Sequence, residues 1–302
     1  MGLYLAQQLV NGISYGSILG LLAVGYTMIY GILGLINFAH GEVFMIGAFI
    51  CYLASAVRGM PWVIGAILAL VTSTAVGFLL QRYVYRPTTE KKAPLLTVFI
   101  ASFAASIGLR HIVMMFYTDK RRAFPIPGVF ERMFLVGGIA IGLRDIVIFI
   151  VTIAIMSVLA YFIRYSKTGM GMRAVSYDKN TAELVGVNSR KVTIAAFIIG
   201  SALAGLSALV YGLSFGIVNP SMGITPGLTA FIAAVLGGIG NVTGAMIGGF
   251  IIGLGEVLFV ALLPASLSPL RPLFVWALLF VILFIKPSGL FRPNVKFEEI
   301  WE

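Results

Sequence analysis

The chain has 302 residues, of which 60% are hydrophobic and 11% are charged, and its mean hydropathy is +1.02. Soluble domains carry about 25% charged residues, so this composition excludes an ordinary soluble protein and indicates a polytopic membrane protein. The net charge of +10 comes from short basic clusters between apolar runs, so we do not expect nucleic acid as a partner. The single cysteine, Cys51, excludes an internal disulfide and a cysteine-cluster metal site.

The apolar runs predict an all-α transmembrane fold of about eight or nine spanning segments, some broken or short, in one domain over residues 1–302. A spanning helix needs about 20 mostly apolar residues. The strong candidates are residues 5–31, 43–57, 62–82, 94–116, 144–163, 191–213, 243–262 and 271–286. A further run, 228–239, is too short to cross comfortably, so we expect a short or discontinuous helix there.

The first ionisable side chains stand in segment 36–42, within an apolar, glycine-rich stretch. A carboxylate in hydrocarbon is costly unless it faces a partner or a water-filled cavity, so Glu42 indicates a polar function. The alternative is a tight cytoplasmic turn between two helices, which also uses Asn, Gly and charge. Because run 43–57 is short, its helix is expected to begin earlier, within 37–42, as a broken or re-entrant helix does.

Basic residues predict which loops face the cytoplasm. Segment 164–191 holds six Lys and Arg residues against two acids, so we place it inside. Loop 82–92 is then also inside, and the amino terminus is outside. The basic tail 286–296 falls inside only if run 228–239 counts as a crossing, so parity favours nine passes.

Loop 117–143 is expected to be external, yet it carries Lys120, Arg121, Arg122 and Arg132. An acidic soluble partner would explain such an external basic loop, because opposite charges steer association. We therefore interpret these four residues as a docking surface.

Segment 173–191 is typical of a short surface helix between two spanning helices. Asp178 or Asn180 can cap its start, and Gly186 can stop it. Asn188 or Ser189 can then cap the next helix. Glu183 stands three residues beyond Asn180, as in a capping box. The apolar residues Ala182, Leu184 and Val185 are too few for a core. Such a helix fits the groove of another protein, although an amphipathic connector on the lipid surface is the alternative.

Several motifs resemble one transporter family. They are Gly25-Tyr26-Thr27-Met28-Ile29-Tyr30-Gly31, Ile36-Asn37-Phe38-Ala39-His40-Gly41-Glu42, the segments from 164–166 to 186–188, the stretch 230–249 around Val235-Leu236-Gly237-Gly238-Ile239-Gly240, and Lys286-Pro287-Ser288-Gly289. Together they closely resemble permease subunits of branched-chain amino acid ABC importers, of the LivH-like kind. The resemblance covers most of the chain, with the motifs in the family's order.

The resemblance implies a permease subunit that moves branched-chain or other hydrophobic amino acids inward by alternating access in the bacterial plasma (inner) membrane. The implied partners are a second related permease in a heterodimer, two ATP-binding ATPase subunits, and a periplasmic or lipid-anchored substrate-binding protein. By the same resemblance, Asp178, Ala182, Glu183 and Gly186 match the coupling helix that enters a cleft of the ATPase. The external basic loop is then the expected contact for the binding protein.

The sequence agrees that the chain itself does no chemistry. It contains no Gly-x-x-x-x-Gly-Lys-[Ser/Thr] motif, so ATP hydrolysis is expected in partner chains and no cofactor is expected here. The two histidines, His40 and His111, lack nearby Cys or acidic clusters, so no metal site is expected. Three serines in apolar helices are expected to bond their own preceding turns: Ser102, Ser106 and Ser201. An integral membrane enzyme would need paired catalytic residues, which the sequence lacks.

Glycines recur at four-residue intervals at 12, 16 and 20 and at 240, 244 and 248, which favours close helix packing. A backbone-lined pathway is the alternative, since a half-helix amino end can receive the carboxylate of an amino acid. The candidate pathway residues near such breaks are Asn37, His40, Glu42, Gly240 and Asn241. Residues 45–50 also resemble 246–251, a faint sign of repeated halves.

A rival interpretation is a stand-alone secondary transporter or channel for amino acids, urea or short amides. A coupled carrier needs ionisable groups near mid-membrane, and Glu42 and Glu256 would supply them if both faced one cavity. Segment 164–191 favours the importer, because a carrier has no need for a capped cytoplasmic helix shaped for a partner.

Overall fold

The computed structural model describes residues 2–91 and 93–291, and this part of the chain is almost entirely helical. The α-helices are α1 Gly2–Leu33, α2 His40–Tyr52, α3 Trp62–Leu80, α4 Arg86–Glu90, α5 Leu95–Tyr117, α6 Leu143–Tyr165, α7 Lys167–Tyr177, α8 Lys179–Leu184, α9 Ser189–Phe215, α10 Ile224–Gly237, α11 Val242–Leu262 and α12 Arg271–Ile285. Short π-helical turns prolong α2 to Val57 and α3 to Tyr85. A 3-10 turn, Ala265–Leu270, precedes α12.

The predicted spanning segments are confirmed. Eight helical stretches of the described chain are long and apolar enough to cross a membrane, and each coincides with one predicted run. Large apolar side chains stand exposed along α3, α5, α6 and α12, as expected for surfaces solvated by lipid tails. The chain is therefore a multi-pass, all-helical membrane protein. Three of the basic residues used to predict topology lie outside the described residues: Lys92 of loop 82–92, and Arg292 and Lys296 of the tail.

Two opposite faces can be defined from the loops. The hairpin face holds the antiparallel pairs β1 (Arg122–Ala123) with β4 (Ile217–Val218) and β2 (Met133–Val136) with β3 (Ile139–Gly142). The start of α1 lies there too, because Gln7 Nε2 donates to the Ala140 carbonyl at 2.9 Å. The α8 face holds α7, α8 and the turn between α10 and α11. The two segments predicted to be external, the amino terminus and loop 117–143, therefore lie on the hairpin face.

Two helices begin inside the bundle rather than at a face. The chain turns back after α1, and α2 begins at His40, whose ring packs against the Tyr26 ring of α1 in a tilted arrangement, with 4.5 Å between centroids. That point is about 10 Å before the end of α1 at 1.5 Å per residue. Helix α10 begins beside α2, since Gly223 and Gly227 both pack on Gly41. The expected broken helices are therefore confirmed at both places.

Glycines make these internal starts possible. A Cβ on Gly41 would lie 2.5 Å from the Gly223 carbonyl oxygen, and a Cβ on Gly223 would lie 2.1 Å from the Gly41 carbonyl oxygen. The crossing of α1 and α9 is reciprocal in the same way, because a Cβ on Gly25 or Gly200 would lie 2.9 or 3.0 Å from the other's carbonyl oxygen. Each of these contacts is closer than a side chain allows.

The reciprocal contacts reveal an inverted repeat. Helices α1 and α9 run in opposite directions and cross at glycines, and each is followed by a half-helix, α2 or α10. The next helices match as well, since α3 packs on α9 through Ser73 and Gly205, while α11 packs on α1 through Gly249 and Gly20. The unit α1–α3 therefore corresponds to α9–α11 with inverted direction. The short sequence echo, 45–50 with 246–251, pairs α2 with α11 and is not this repeat.

The segment before α9 contains the predicted surface helix and one further helix. The helix expected between the cap at Asp178 or Asn180 and the stop at Gly186 is α8, whereas α7, which precedes it, was not predicted. Ser166 caps α7 by accepting from the Gly169 N–H at 2.9 Å. The run expected at 228–239 is the helix α10, which begins four residues earlier at Ile224.

The glycine contact between the two half-helices gives a stability prediction. Gly41→Ala places a methyl against the Gly223 carbonyl, so the variant should lose about 1–3 kcal/mol, as overpacked cores do. The matched control is Gly108→Ala in α5, where a Cβ meets nothing within 4 Å. Cys51 is buried, so its reaction with a maleimide dye on heating reports unfolding of the detergent-solubilised chain. Equal unfolding midpoints for the two variants would contradict the prediction.

Candidate functional site

The predicted polar segment 36–42 lies inside the helix bundle. Asn37, His40 and Glu42 are all buried, with no more than 2% of each residue exposed. An exposed cytoplasmic turn is therefore wrong for this segment. It is a re-entrant connection inside the bundle, where backbone groups need partners within the protein. Asn37 Nδ2 and Glu42 Oε2 have no hydrogen-bond partner among the described residues.

A hydrogen-bonded group holds the start of this connection. Tyr85, at the end of the π-helical turn after α3, donates its hydroxyl to Asn37 Oδ1 at 2.9 Å. The same hydroxyl is 2.6 Å from Ser102 Oγ, and Ser102 Oγ accepts from the Phe38 N–H at 2.8 Å. The prediction that Ser102 bonds its own preceding turn is therefore wrong, because the freed backbone of the re-entrant segment is a better partner.

Glu42 is held by the next turns of α5. Its Oε1 accepts from Ser106 Oγ at 3.1 Å, and Arg110 Nη1 lies 3.8 Å from the same oxygen. Ser106 therefore bonds Glu42, contrary to the expected bond to its own turn. Ser102, Ser106 and Arg110 are four residues apart and share one face of α5. That spacing in an apolar run was the signal that could have revealed them.

His40 sits where the two half-helices and α1 meet. A Cβ on Gly25 would lie 2.6 Å from His40 Nε2, so glycine makes room for the ring. The first backbone N–H groups of α2 and α10 lie near one another here, because Gly41 and Gly223 are in contact. Neither helix has a side-chain cap at its start. The aligned peptide dipoles give these amino ends partial positive charge in the middle of the bundle. The N–H groups of His40, Glu42 and Ile224 already bond carbonyls of the preceding residues.

The other two predicted pathway residues lie elsewhere, in the turn between α10 and α11. The Gly240 N–H donates to Thr27 Oγ1 at 3.0 Å, and Asn241 Oδ1 caps α11 by accepting from the Gly244 N–H at 2.9 Å. Both residues line a cavity of about 260 Å³ on the α8 face, together with Arg164 and Arg173. The five predicted residues thus form two separate groups, one internal and one at a face.

The predicted coupling residues fix the shape and position of α8. Asp178 is the start cap, accepting from the N–H groups of Asn180 and Thr181, and it also accepts from the Thr181 hydroxyl. These hydrogen bonds, the hydroxyl first, hold the pKa of Asp178 below its usual value. Glu183 does not close a capping box and instead accepts from Ser189 Oγ.

The end of α8 also follows the predicted pattern. Gly186 has φ +88°, the left-handed stop, and Asn188 caps α9 by accepting from the Lys191 N–H at 2.9 Å. Ala182, a residue of α8 itself, is buried. Leu184 and Val185, by contrast, are 87% and 74% exposed, so α8 presents an apolar tip to its surroundings. A groove between α7 and α8 runs beside this tip.

The basic residues of loop 117–143 differ in exposure. Lys120, Arg121 and Arg132 are exposed on the hairpin face. Arg122 is half-buried: its Nη2 donates to the Tyr117 carbonyl at 2.9 Å, and its guanidinium lies over the Tyr117 ring at 5.6 Å. Three of the four thus present free charge, and Arg122 has a structural role as well.

Among the described residues, no group of three or more His, Cys, Asp or Glu residues is placed to hold a metal ion. Glu256 is also buried, but it pairs with Arg271 of α12 on the hairpin side, whereas Glu42 contacts α5. The cavity that Glu256 lines does not include Glu42.

Comparison with known proteins shows similarity over nearly the whole chain. The family described as "Branched-chain amino acid transport system / permease component" matches residues 8–285. The high-affinity branched-chain amino acid transport system permease LivH of Escherichia coli K12 is 38% identical, covering 97% of this chain and 98% of LivH. The corresponding permease BraD of Pseudomonas aeruginosa is 37% identical, covering 96% of this chain and 97% of BraD. The ribose import permease RbsC of Haemophilus influenzae is 29% identical over 51% of this chain and 50% of RbsC. No solved structure matches.

The buried pair of Glu42 and Arg110 gives a second stability prediction. Arg110→Met leaves Glu42 without its cation, and breaking a buried pair costs about 3–5 kcal/mol. We expect the lower end of that range, because the two atoms are 3.8 Å apart and Arg110 is partly exposed. Removing both charges, in Glu42→Gln with Arg110→Met, should restore part of the loss. The control is Arg86→Met, which breaks the exposed pair with Glu90 and should cost about 1 kcal/mol or less.

Cys51 labelling during heating again supplies the unfolding midpoint. An Arg110→Met midpoint equal to that of Arg86→Met would show that Glu42 does not depend on Arg110.

Proposed function

This chain belongs to the family of branched-chain amino acid transport permease components, which are transport subunits and not enzymes, and we propose that it is the membrane subunit of an ATP-driven importer. It would carry branched-chain or other hydrophobic amino acids inward. The observation that carries this proposal is the full-length similarity to branched-chain amino acid permeases. Similarity to the ribose permease covers half of the chain, so sugar transport has weaker support.

Coupling to ATPase subunits is supported by α8. This six-residue helix with an exposed apolar tip is stabilised by the Asp178 cap and a left-handed glycine rather than by a core of its own. Burial of Leu184 and Val185 by another protein would remove that apolar surface from water. Asp178, Ala182, Glu183 and Gly186 would then orient the helix. The α8 face would be cytoplasmic, and the membrane would be the bacterial plasma (inner) membrane.

We place the moving gate at the inverted repeat. The two half-helices meet through backbone at Gly41 and Gly223, so a small rotation there separates them without breaking side-chain interdigitation. Asn37, His40 and Glu42 lie at this junction. Gly240 and Asn241 would contact the substrate later, as it leaves toward the α8 face. ATP binding in the partner chains would drive this alternation through α8.

Two further partners are proposed, a second permease and a substrate-binding protein. A second, related permease would complete the pathway, as a heterodimer within lipid. A periplasmic or lipid-anchored binding protein would dock on Lys120, Arg121 and Arg132 of the hairpin face, with Arg122 holding the loop.

The rival function, a stand-alone carrier or channel for amino acids, urea or short amides, has less support. A coupled carrier would need Glu42 and Glu256 to face one cavity. In the structure each acid has its own arginine partner, on a different helix. The rival function also leaves the exposed tip of α8 without a purpose.

Coupling predicts that a charge on the α8 tip prevents ATPase binding. Leu184→Asp should abolish co-purification of an ATPase subunit with the tagged chain, since a buried unpaired carboxylate is costly. The control is Leu135→Asp on the hairpin face, where the side chain is similarly exposed, at 79%. The control should keep the ATPase. Retention of the ATPase by Leu184→Asp, or loss in both variants, would count against α8 as the contact.

Docking on the hairpin face predicts a charge effect. Lys120→Glu with Arg121→Glu should weaken binding-protein association roughly tenfold and reduce its salt dependence, because exposed charges act through screened attraction. The control, Lys91→Glu with Lys167→Glu, reverses two exposed lysines on the opposite face. Affinity of the immobilised complex for the binding protein is measured at low and high salt. If the two double variants bind alike, the loop is not the docking surface.

A further inference from the structure

A second cavity lies on the hairpin side of the bundle, remote from the α2 junction. It has a volume of about 370 Å³ and is enclosed by α1, the start of α6, the end of α9, α11 and the start of α12. Small-ligand sites usually measure roughly 300–1,000 Å³. The cavity is therefore large enough for a free amino acid, and none of the roles assigned above uses it.

The charges around this cavity are balanced. Two acids and two arginines line it: Asp145, Glu256, Arg144 and Arg271. The lining also contains apolar side chains, among them Ile18, Val257 and Val260. A site with both signs of charge and apolar lining residues matches a zwitterion that carries an apolar side chain, because each ionic group finds its opposite.

Two of the four charged groups already have defined partners in the protein. Asp145 Oδ1 accepts from Ser14 Oγ at 3.0 Å, and its Oδ2 accepts from the Gly142 N–H at 3.1 Å, capping α6. Arg271 binds Glu256 and lies 4.8 Å over the Tyr15 ring. These two residues therefore act as scaffold.

The other two charged groups have unused hydrogen-bonding capacity. Glu256 is 2% exposed, and among the described residues no donor meets hydrogen-bond geometry with its Oε2. The Tyr15 hydroxyl is a neighbour of the same carboxylate. Arg144 makes one long contact, Nη1 to the Leu213 carbonyl at 3.5 Å. A buried carboxylate oxygen without a donor is costly, so a ligand that donates to it gains affinity.

We propose that this cavity binds a free zwitterionic amino acid, with the ammonium group at Glu256 Oε2, the carboxylate at Arg144 and the apolar side chain against Ile18, Val257 and Val260. The proposal rests on the proposed function, whose substrate class it places at a defined site. The site is on the proposed external side, so it would receive the amino acid before the gate opens. Packing of Gly16 on Gly253 and of Gly20 on Gly249 closes the bundle below it.

The test measures binding of radiolabelled L-leucine to the purified complex of this chain with its partner subunits in nanodiscs, without binding protein. Glu256→Gln should weaken leucine binding at least tenfold. Ala261→Phe fills the cavity and leaves all four charged groups in place, so it should abolish binding even if Glu256→Gln proves unstable. The control is Glu90→Gln, which alters an exposed Arg–Glu pair remote from the cavity and should bind like wild type. Each variant is checked by gel filtration and by Cys51 labelling on heating.

Competition with two leucine analogues tests both ionic contacts. Leucinamide lacks the carboxylate and 4-methylpentanoate lacks the ammonium group, so each should compete at least tenfold more weakly than leucine. Equal competition by leucinamide would show a simple cation site and would overturn the proposal. So would leucine binding that Ala261→Phe leaves unchanged, or the absence of binding by wild type.

Leucine uptake by the same complex in proteoliposomes, with ATP and binding protein, separates this proposal from the proposed function. ATP-driven uptake without binding in the cavity would refute the site alone, whereas absence of uptake by a complex that retains its ATPase would refute the importer.

Discussion

Backbone-to-backbone contact between glycines is the constraint on which this fold depends. In hydrocarbon, every free N–H and C=O group must find a partner inside the protein. A helix that begins in mid-membrane is tolerable only if its first turn is enclosed by other helices. Gly25, Gly200, Gly41 and Gly223 allow that enclosure, because a Cβ at any of them would lie 3.0 Å or less from a facing carbonyl oxygen. The crossing of α1 and α9 and the meeting of α2 and α10 follow from this one condition.

Polar side chains stabilise the re-entrant segment that these glycine contacts allow. The re-entrant segment before α2 exposes backbone and side-chain groups that α5 satisfies through Ser102, Ser106 and Arg110. Glu256, the second buried acid, is bound by Arg271 of α12 through one oxygen. In both acids the second carboxylate oxygen has no hydrogen-bond donor among the described residues. The two acids differ in their surroundings, because Glu42 packs against α5 inside the bundle, whereas Glu256 lines the hairpin-side cavity.

The sequence predicted what depends on local pattern. Spanning segments follow from runs of apolar residues, and the caps Asp178 and Asn188 and the stop at Gly186 follow from backbone geometry. It did not predict which helices meet. The inverted repeat relates α1–α3 to α9–α11 through single glycines at unequal spacings, which leaves no periodic signal. The contact between Arg110 and Glu42 was not predicted either, because the two residues are sixty-eight positions apart in the sequence.

The two cavities lie on opposite sides of the subunit and are separated by closely packed helices. One opens on the hairpin side beside Glu256, and the other opens on the α8 face beside Gly240. Between them, α1 and α11 are in backbone contact at Gly16 with Gly253 and Gly20 with Gly249, where a Cβ on either α11 glycine would lie within 2.5 Å of α1 backbone. Helices packed this closely cannot part for a side chain as large as leucine without losing the contact that holds the bundle. The junction of α2 and α10 is packed as closely, at Gly41 with Gly223, but it joins two half-helices of 13 and 14 residues, so opening there disrupts less contact than parting α1 from α11. In the proposed importer, a second permease facing that junction would supply the other wall of the pathway.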